Sequence, residues 1–277
     1  MTSLKRLLDF YINSSLHVAV AVLSFCILTA YESNLNLTTD FYVSIFCASV
    51  LGYNFVKYFG LAKFYYRSLT TRLKYIQWVS VFSLIGLGYT FCLLQNTSQL
   101  LLVVLGLITF LYAIPLGIKT PKNLRSIGGL KIYVIAIIWA MTSVVLPLLE
   151  AQEVFTADHY LILLQRIFIV IALMLPFEIR DLDIDELHLS TIPQKLGLKY
   201  TKIIGYALLG DAVLMEFFKG QFSQNRFLVL LFSAAILALM LANSKKRRSR
   251  YYTAFWVEAI PVFSLLLVFV FTLVQKA

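Results

Sequence analysis

Apolar residues in this chain gather into long runs divided by short polar stretches, not into the alternation of a strand or the single stripe of a soluble amphipathic helix. The runs lie at Leu16–Ala30, Phe41–Phe59, Ile76–Leu94, Leu100–Leu116, Ile132–Leu149, Tyr160–Phe177, Ile203–Phe218, Phe227–Asn243 and Ala254–Val274. Each is near the length that crosses about 30 Å of hydrocarbon at about 1.5 Å per residue. The predicted fold class is therefore an all-α membrane protein of about nine transmembrane helices, with residues 1–277 forming a single domain. Lys5 and Arg6 precede the first run as they would in a secretion signal, but Leu28-Thr29-Ala30 is a poor cleavage site and similar runs follow. That run is kept as the first span.

Composition agrees with the pattern. Hydrophobic residues make up 60% of the 277 and charged residues only 14%, against about 25% charged in soluble domains. The formal charge of +10 would suggest a nucleic-acid partner in a soluble protein. Here the charges flank apolar runs, which makes them topology signals and gives no reason to expect nucleic acid. With the amino terminus in the cytoplasm, about 20 of the 24 basic residues fall on the cytoplasmic side, while Glu32, Asp40, Glu150, Glu153 and Asp158 fall opposite. The carboxy terminus then lies outside, and a bacterial inner membrane is the expected location. The Lys245–Arg250 run is expected to touch anionic lipid headgroups. Cys26, Cys47 and Cys92 stand far apart in apolar runs, without the paired spacing of a zinc or disulfide framework.

Chemistry concentrates after the sixth run, in Pro176-Phe-Glu-Ile-Arg-Asp-Leu-Asp-Ile-Asp-Glu186. On a helix continuing through this segment, Glu178, Asp181 and Asp185 share one face and Asp183 points away. Clustered carboxylates repel one another, so the face needs either a cation or full solvation. Hard oxygen ligands suit Mg2+, which binds through one or two carboxylates together with substrate phosphates. Arg180, Lys119 and Lys131, on the same side of the bilayer, would complete an anion site around a departing diphosphate. The alternative is a solvated acidic loop.

The run Glu178, Asp181, Asp185, followed by Ser190-Thr191-Ile-Pro193-Gln-Lys195-Leu-Gly197, resembles the second aspartate-rich motif of the UbiA superfamily of intramembrane prenyltransferases, with glutamate at its first position. Leu111-Tyr112-Ala113-Ile114-Pro115, then Lys119, Gly129-Leu130-Lys131 and Trp139, are similar to that family's Tyr-Ser-x-Pro, Lys, Leu-Lys and Trp pattern. The family's first acidic motif falls on Gly52-Tyr53-Asn54-Phe55-Val56-Lys57-Tyr58; Asn54 matches, but the aspartates are replaced by Phe55, Tyr58 and Ala62.

The resemblance implies a bundle around a central cavity, an isoprenoid diphosphate as donor, a lipophilic acceptor that is expected to be aromatic, and Mg2+ held by Glu178, Asp181 and Asp185. It further implies Asp181, Asp185, Lys57 and Asn54 as catalytic residues, and Arg180, Lys119, Lys131, Tyr112 and Tyr53 as substrate-binding ones. Lys57, with Lys63, is expected to take over part of the lost metal's work as a point cation. Loss of the first motif keeps open a second class, a catalytically inactive relative that binds a polyprenyl lipid or a partner protein. Asp211, Glu216 and Glu258 are acids inside or beside apolar runs, the usual mark of a functional or packed polar site.

Overall fold

Two of the prolines inside apolar runs, Pro147 and Pro261, each lack the N–H that would bond the residue four positions back. In both places the preceding turn widens. Met141–Val145 and Tyr252–Val257 are π-helical, and Glu258 N–H bonds Thr253 O five residues back, at 3.1 Å. The structure, a computed structural model, describes residues 3–62, 71–114, 129–183 and 190–276, and the side chains of these except 60–62, 71–72 and 274–276. Lys63, Lys119 and Asp185 lie outside the described residues.

The described chain runs α1 (Ser3–Asn13), α2 (Leu16–Glu32), α3 (Thr39–Ala62), α4 (Thr71–Phe91), α5 (Asn96–Ala113), α6 (Leu130–Ala140), α7 (Leu146–Glu150), α8 (Ala157–Asp181), α9 (Ile192–Leu214), α10 (Gln224–Ala242) and α11 (Ile260–Lys276). No strand occurs among the described residues. The first π turn joins α6 to α7, and the second leads into α11. α1 was not among the predicted elements; it meets α2 at 58° through Ser15, which takes a left-handed φ of 62°. α8 starts where Thr156 N–H donates to His159 Nδ1, and α9 where Thr191 N–H donates to Gln194 Oε1 with Pro193 in its first turn. α9 is kinked at Gly197, whose φ of 75° glycine adopts at little cost.

Helices adjacent in sequence are mostly adjacent in space. α3 packs on α4 and α5, α5 on α7, α6 on α8, α8 on α9, α9 on α10, and α10 on α11. α11 then returns to α2, which also packs on α3 and the first π turn, so the helices form a closed ring. Inside it Phe25, Trp139, Leu175 and Leu241 are buried in one apolar cluster. Outside it Phe82, Ile85 and Tyr89 of α4 and Leu100, Leu107 and Phe110 of α5 are exposed, an apolar belt that water would not tolerate.

By length and composition, five described segments suffice to cross a membrane: Asn96–Ala113, Leu130–Glu150, Ala157–Asp181, Gln224–Ala242 and Tyr252–Leu273. The bent pair α1 and α2 makes a sixth if counted together. The sequence predicts nine spans; α3, α4 and α9 are long helices but do not meet this measure. Their polar residues dilute them: Asp40, Asn54 and Lys57 in α3, Lys74 and Gln77 in α4, Lys199, Lys202 and Asp211 in α9. α9 also begins at Ile192, well ahead of the predicted Ile203.

Candidate functional site

One end of the ring collects charge from four stretches of sequence. From α8 come Glu178, buried to 1% exposure, and Arg180 and Asp181, both partly exposed. Arg180 grips Asp181 with both arms of its guanidinium, Nε to Oδ1 at 2.6 Å and Nη2 to Oδ2 at 2.7 Å, while Nη1 donates to Thr253 Oγ1 in the second π turn. From α3 comes Lys57, whose ammonium donates to Ile12 O at 3.2 Å and Ser15 Oγ at 2.9 Å. Arg250 donates to Asn13 Oδ1. Glu258, next after the second π turn, lies within electrostatic reach of Lys57, Arg180, Arg250 and the phenol of Tyr53. The sequence pattern noted Glu258 as an acid in the last run but gave it no place; it is half-buried directly after the widened turn, with Lys57 and Arg180, both distant in sequence, among its electrostatic partners.

The positions of the degenerate first motif do other work here. Phe55 stacks on Phe110 of α5, with centroids 5.6 Å apart, and Tyr58 hydroxyl donates to Asn13 O at 2.8 Å. Together with Lys57, Tyr58 satisfies carbonyls at the open end of α1, which a helix terminus otherwise leaves to water. This stretch has become the clasp of the α1–α2 elbow. Further ties come from Tyr251 hydroxyl, which donates to Asp9 Oδ1 at 2.5 Å, and from His17, stacked on Phe255 at 4.9 Å. The Asp9 bond pushes the Tyr251 phenol up, since the carboxylate would repel a phenolate.

The other predicted residues divide. Tyr53 accepts a hydrogen bond from Trp139 Nε1, and Tyr112 is buried within its electrostatic reach, so these three meet at the ring's interior. Asn54 turns instead to α4, where its amide donates to Ser80 Oγ at 3.0 Å; its Oδ1 has no partner among the described residues. Lys131 stands in the first turn of α6, and no described hydrogen bond or ion pair ties it to the cluster. Asp183 leaves the cluster for the loop before α11, pairing with Lys246 at 2.9 Å and Arg247 at 3.4 Å. That hydrogen bond from Lys246 holds the Asp183 carboxyl below its ordinary range.

The helix predicted to carry three carboxylates on one face closes at Asp181, before Asp185. Among the described residues no group of three or more His, Cys, Asp or Glu is placed to hold a metal ion. Glu178 and Asp181 are the described part of the predicted magnesium set, and both Asp181 oxygens are taken by Arg180. Two described carboxylates do not by themselves make a magnesium centre, and Asp185, the third of the set, lies outside the described residues; what the described residues present here is cationic, Lys57, Arg180 and Arg250 within electrostatic reach of Glu258.

No family model matches the sequence, and no curated protein matches it. Solved structures do. A UbiA homologue from Aeropyrum pernix K1, in its apo state, is 14% identical with a TM-score of 0.62, covering 95% of this chain and 99% of that one. A UbiA homologue from Archaeoglobus fulgidus bound to GPP and Mg2+ is 10% identical with a TM-score of 0.64, over 95% and 98%. A structure of digeranylgeranylglyceryl phosphate synthase is 12% identical with a TM-score of 0.57, over 96% and 98%. The chain therefore has the UbiA-like fold along nearly its whole length.

Proposed function

We propose that this chain is a divergent member of the UbiA superfamily, an integral membrane prenyltransferase that takes an isoprenoid diphosphate and passes the prenyl group to a lipophilic acceptor. The observation that carries the reading is the convergence of Lys57, Arg180 and Arg250 on one end of the UbiA-like ring. The full reading has nine spans, with α3, α4 and α9 as the polar ones, an amino terminus in the cytoplasm and the basic end facing inward.

The chemistry follows from those charges. Lys57 and Arg250 now spend their hydrogen bonds on neutral carbonyl, hydroxyl and amide acceptors. A diphosphate oxyanion is a stronger acceptor than any of these. The allylic carbon–oxygen bond breaks with its electron pair on the diphosphate oxygen, and the cationic side chains stabilise that developing charge. The allylic cation is shielded by the aromatic faces of Tyr53, Tyr112 and Trp139 and attacked by the acceptor. The acceptor's proton needs a base, and Glu258 is the carboxylate within reach of both Lys57 and Tyr53. In the Archaeoglobus fulgidus homologue GPP is bound together with Mg2+; here no step is assigned to the metal, because Asp181 is held by Arg180.

That same pairing favours a second reading, a non-catalytic relative that binds prenyl diphosphate without transfer. Purified protein in lipid nanodiscs, given radiolabelled prenyl diphosphates with and without magnesium, separates the two. Transfer predicts released diphosphate and labelled lipid, with the labelled lipid lost in Glu258→Gln. Binding without either product would establish the second reading, and absence of binding would remove both.

A further inference from the structure

The basic run ahead of the second π turn, Lys245–Arg250, does not act as one block, because its side chains go separate ways. Arg250 turns to Asn13 at the α1–α2 elbow. Lys246 and Arg247 share Asp183, at 2.9 Å and 3.4 Å, and among the described residues this is the run's one acidic partner. Lys245 is exposed, with no described side-chain contact to position it. Arg248 is different. Its guanidinium carbon stands 4.5 Å from the centroid of the Tyr252 ring, and no described hydrogen bond or ion pair takes up the five donors of its fork. Tyr252 is itself fixed, since its hydroxyl donates to Met240 O at 2.5 Å in the last turn of α10.

A second cation reaches the same turn from another helix. Lys202 of α9 donates to Ala242 O at 2.6 Å, which occupies one of its three N–H donors and leaves the others without a partner among the described residues. Lys199, exposed and one turn earlier on α9, adds charge on that side. α10 packs on both α9 and α11, and the π turn of Tyr252 leads into α11, so Lys202 and Arg248 come to the end of α10 from its two neighbours.

The level of this end matters. Ala242 is the last residue of Gln224–Ala242, a segment long and apolar enough to cross a membrane, so its carbonyl stands where hydrocarbon gives way to headgroups. On α10 itself Leu231, Ala235 and Leu239, spaced four apart, form an exposed apolar stripe leading up to that turn. A partner that satisfies both features needs an anionic head and an apolar body. Soluble phosphates have only the first.

We propose that the last turn of α10 is a binding site for an anionic phospholipid, its phosphodiester held by Arg248 and Lys202 and an acyl chain laid along Leu239, Ala235 and Leu231. The inference stands on the membrane placement of the chain and is independent of the proposed transfer. It narrows the lipid contact expected of the whole basic run to one of its members, joined by a lysine from α9.

The test counts lipids bound to the purified full chain in detergent by native mass spectrometry, using phosphatidylglycerol and phosphatidylcholine with identical acyl chains. Phosphatidylglycerol is expected to bind about tenfold more tightly, and Arg248→Gln or Lys202→Gln each to weaken it about fivefold. Lys246→Gln removes the same charge from the same run and is expected to leave the affinity unchanged. Glycerol 3-phosphate, which has the phosphate without the chains, is expected not to displace the lipid. Equal binding of the two lipids, displacement by glycerol 3-phosphate, or a loss in Lys246→Gln as large as in Arg248→Gln would overturn the proposal; the first two are read on the unaltered protein and decide the matter should a variant fail to fold.

Discussion

Two charged regions of this molecule are built on opposite plans. Beyond the carboxy-terminal end of α9 the ion pairing is close and largely dry: Glu216 and Lys219 are three residues apart, 2.6 Å from each other, with side chains 1% and 3% exposed, and Arg226 reaches the other Glu216 oxygen at 3.4 Å. At the other end, Lys57, Arg180, Arg250 and Glu258 come from distant parts of the chain, and their bonds go largely to neutral oxygens or to a neighbour in sequence. A dry pair resists any change of partner, because separating it strands a charge in a low-dielectric interior. A dispersed cluster whose cations hold weak acceptors can take up an anion by exchanging one hydrogen bond for a stronger one. Burial alone thus does not mark the reactive end; the quality of the present partners does.

The contrast is broken most severely at the dry pair. Glu216→Leu leaves both Lys219 and Arg226 without their carboxylate and is expected to cost roughly 3–5 kcal/mol, read as a fall in the unfolding midpoint in micelles. Adding Lys219→Met removes the deeper of the two stranded cations and should return part of that loss; if the double variant is no more stable than the single, Lys219 is not the main partner of Glu216. At the dispersed end the order reverses. Lys57→Ala is expected to lose only about 1 kcal/mol of stability, yet to weaken prenyl diphosphate binding by about tenfold or more, equivalent to about 1.4 kcal/mol. Equal binding by the variant would remove Lys57 from the anion site.

Smaller effects test the clasp. Tyr251→Phe removes the bond to Asp9 and should speed amide hydrogen exchange in α1 while leaving α8 unchanged, as measured by mass spectrometry. The smallest effect comes from pH. Asp183 has its carboxyl held below 3.8 by Lys246, so the folded form binds its proton less readily than the unfolded chain does. Its contribution is present above about pH 4 and is lost as the pH falls through the depressed value. The difference in melting midpoint between the protein and Asp183→Asn should therefore shrink toward zero as the pH falls from 6 to 3.

The helical class and the membrane belt could be read from run lengths because nothing else accounts for so much apolar surface. Helix starts that rest on side-chain caps, such as Thr191 ahead of α9, were lost from view because hydropathy averages over them. α1 was missed for a related reason: its apolar positions form one stripe too short to register as a run. Tyr53, Lys57 and Arg180 stand within electrostatic reach of one carboxylate, a convergence that motif order made legible because those helices must meet if the ring closes. The place of Glu258 directly after a π turn and the pairing of Asp181 with its own neighbour through a rotamer have no signature in spacing.

The elbow between α1 and α2 carries a consequence for how the chain is made. Its ties from Phe255, Arg250 and Tyr251 reach back 238, 237 and 242 residues to His17, Asn13 and Asp9. A ribosome delivers this arm more than 200 residues ahead of its anchors, so the segment waits through the synthesis of all the intervening helices before it can dock. The basic end therefore comes together late in biogenesis, and a nascent chain halted before Arg250 would have inserted apolar spans but no assembled anion site.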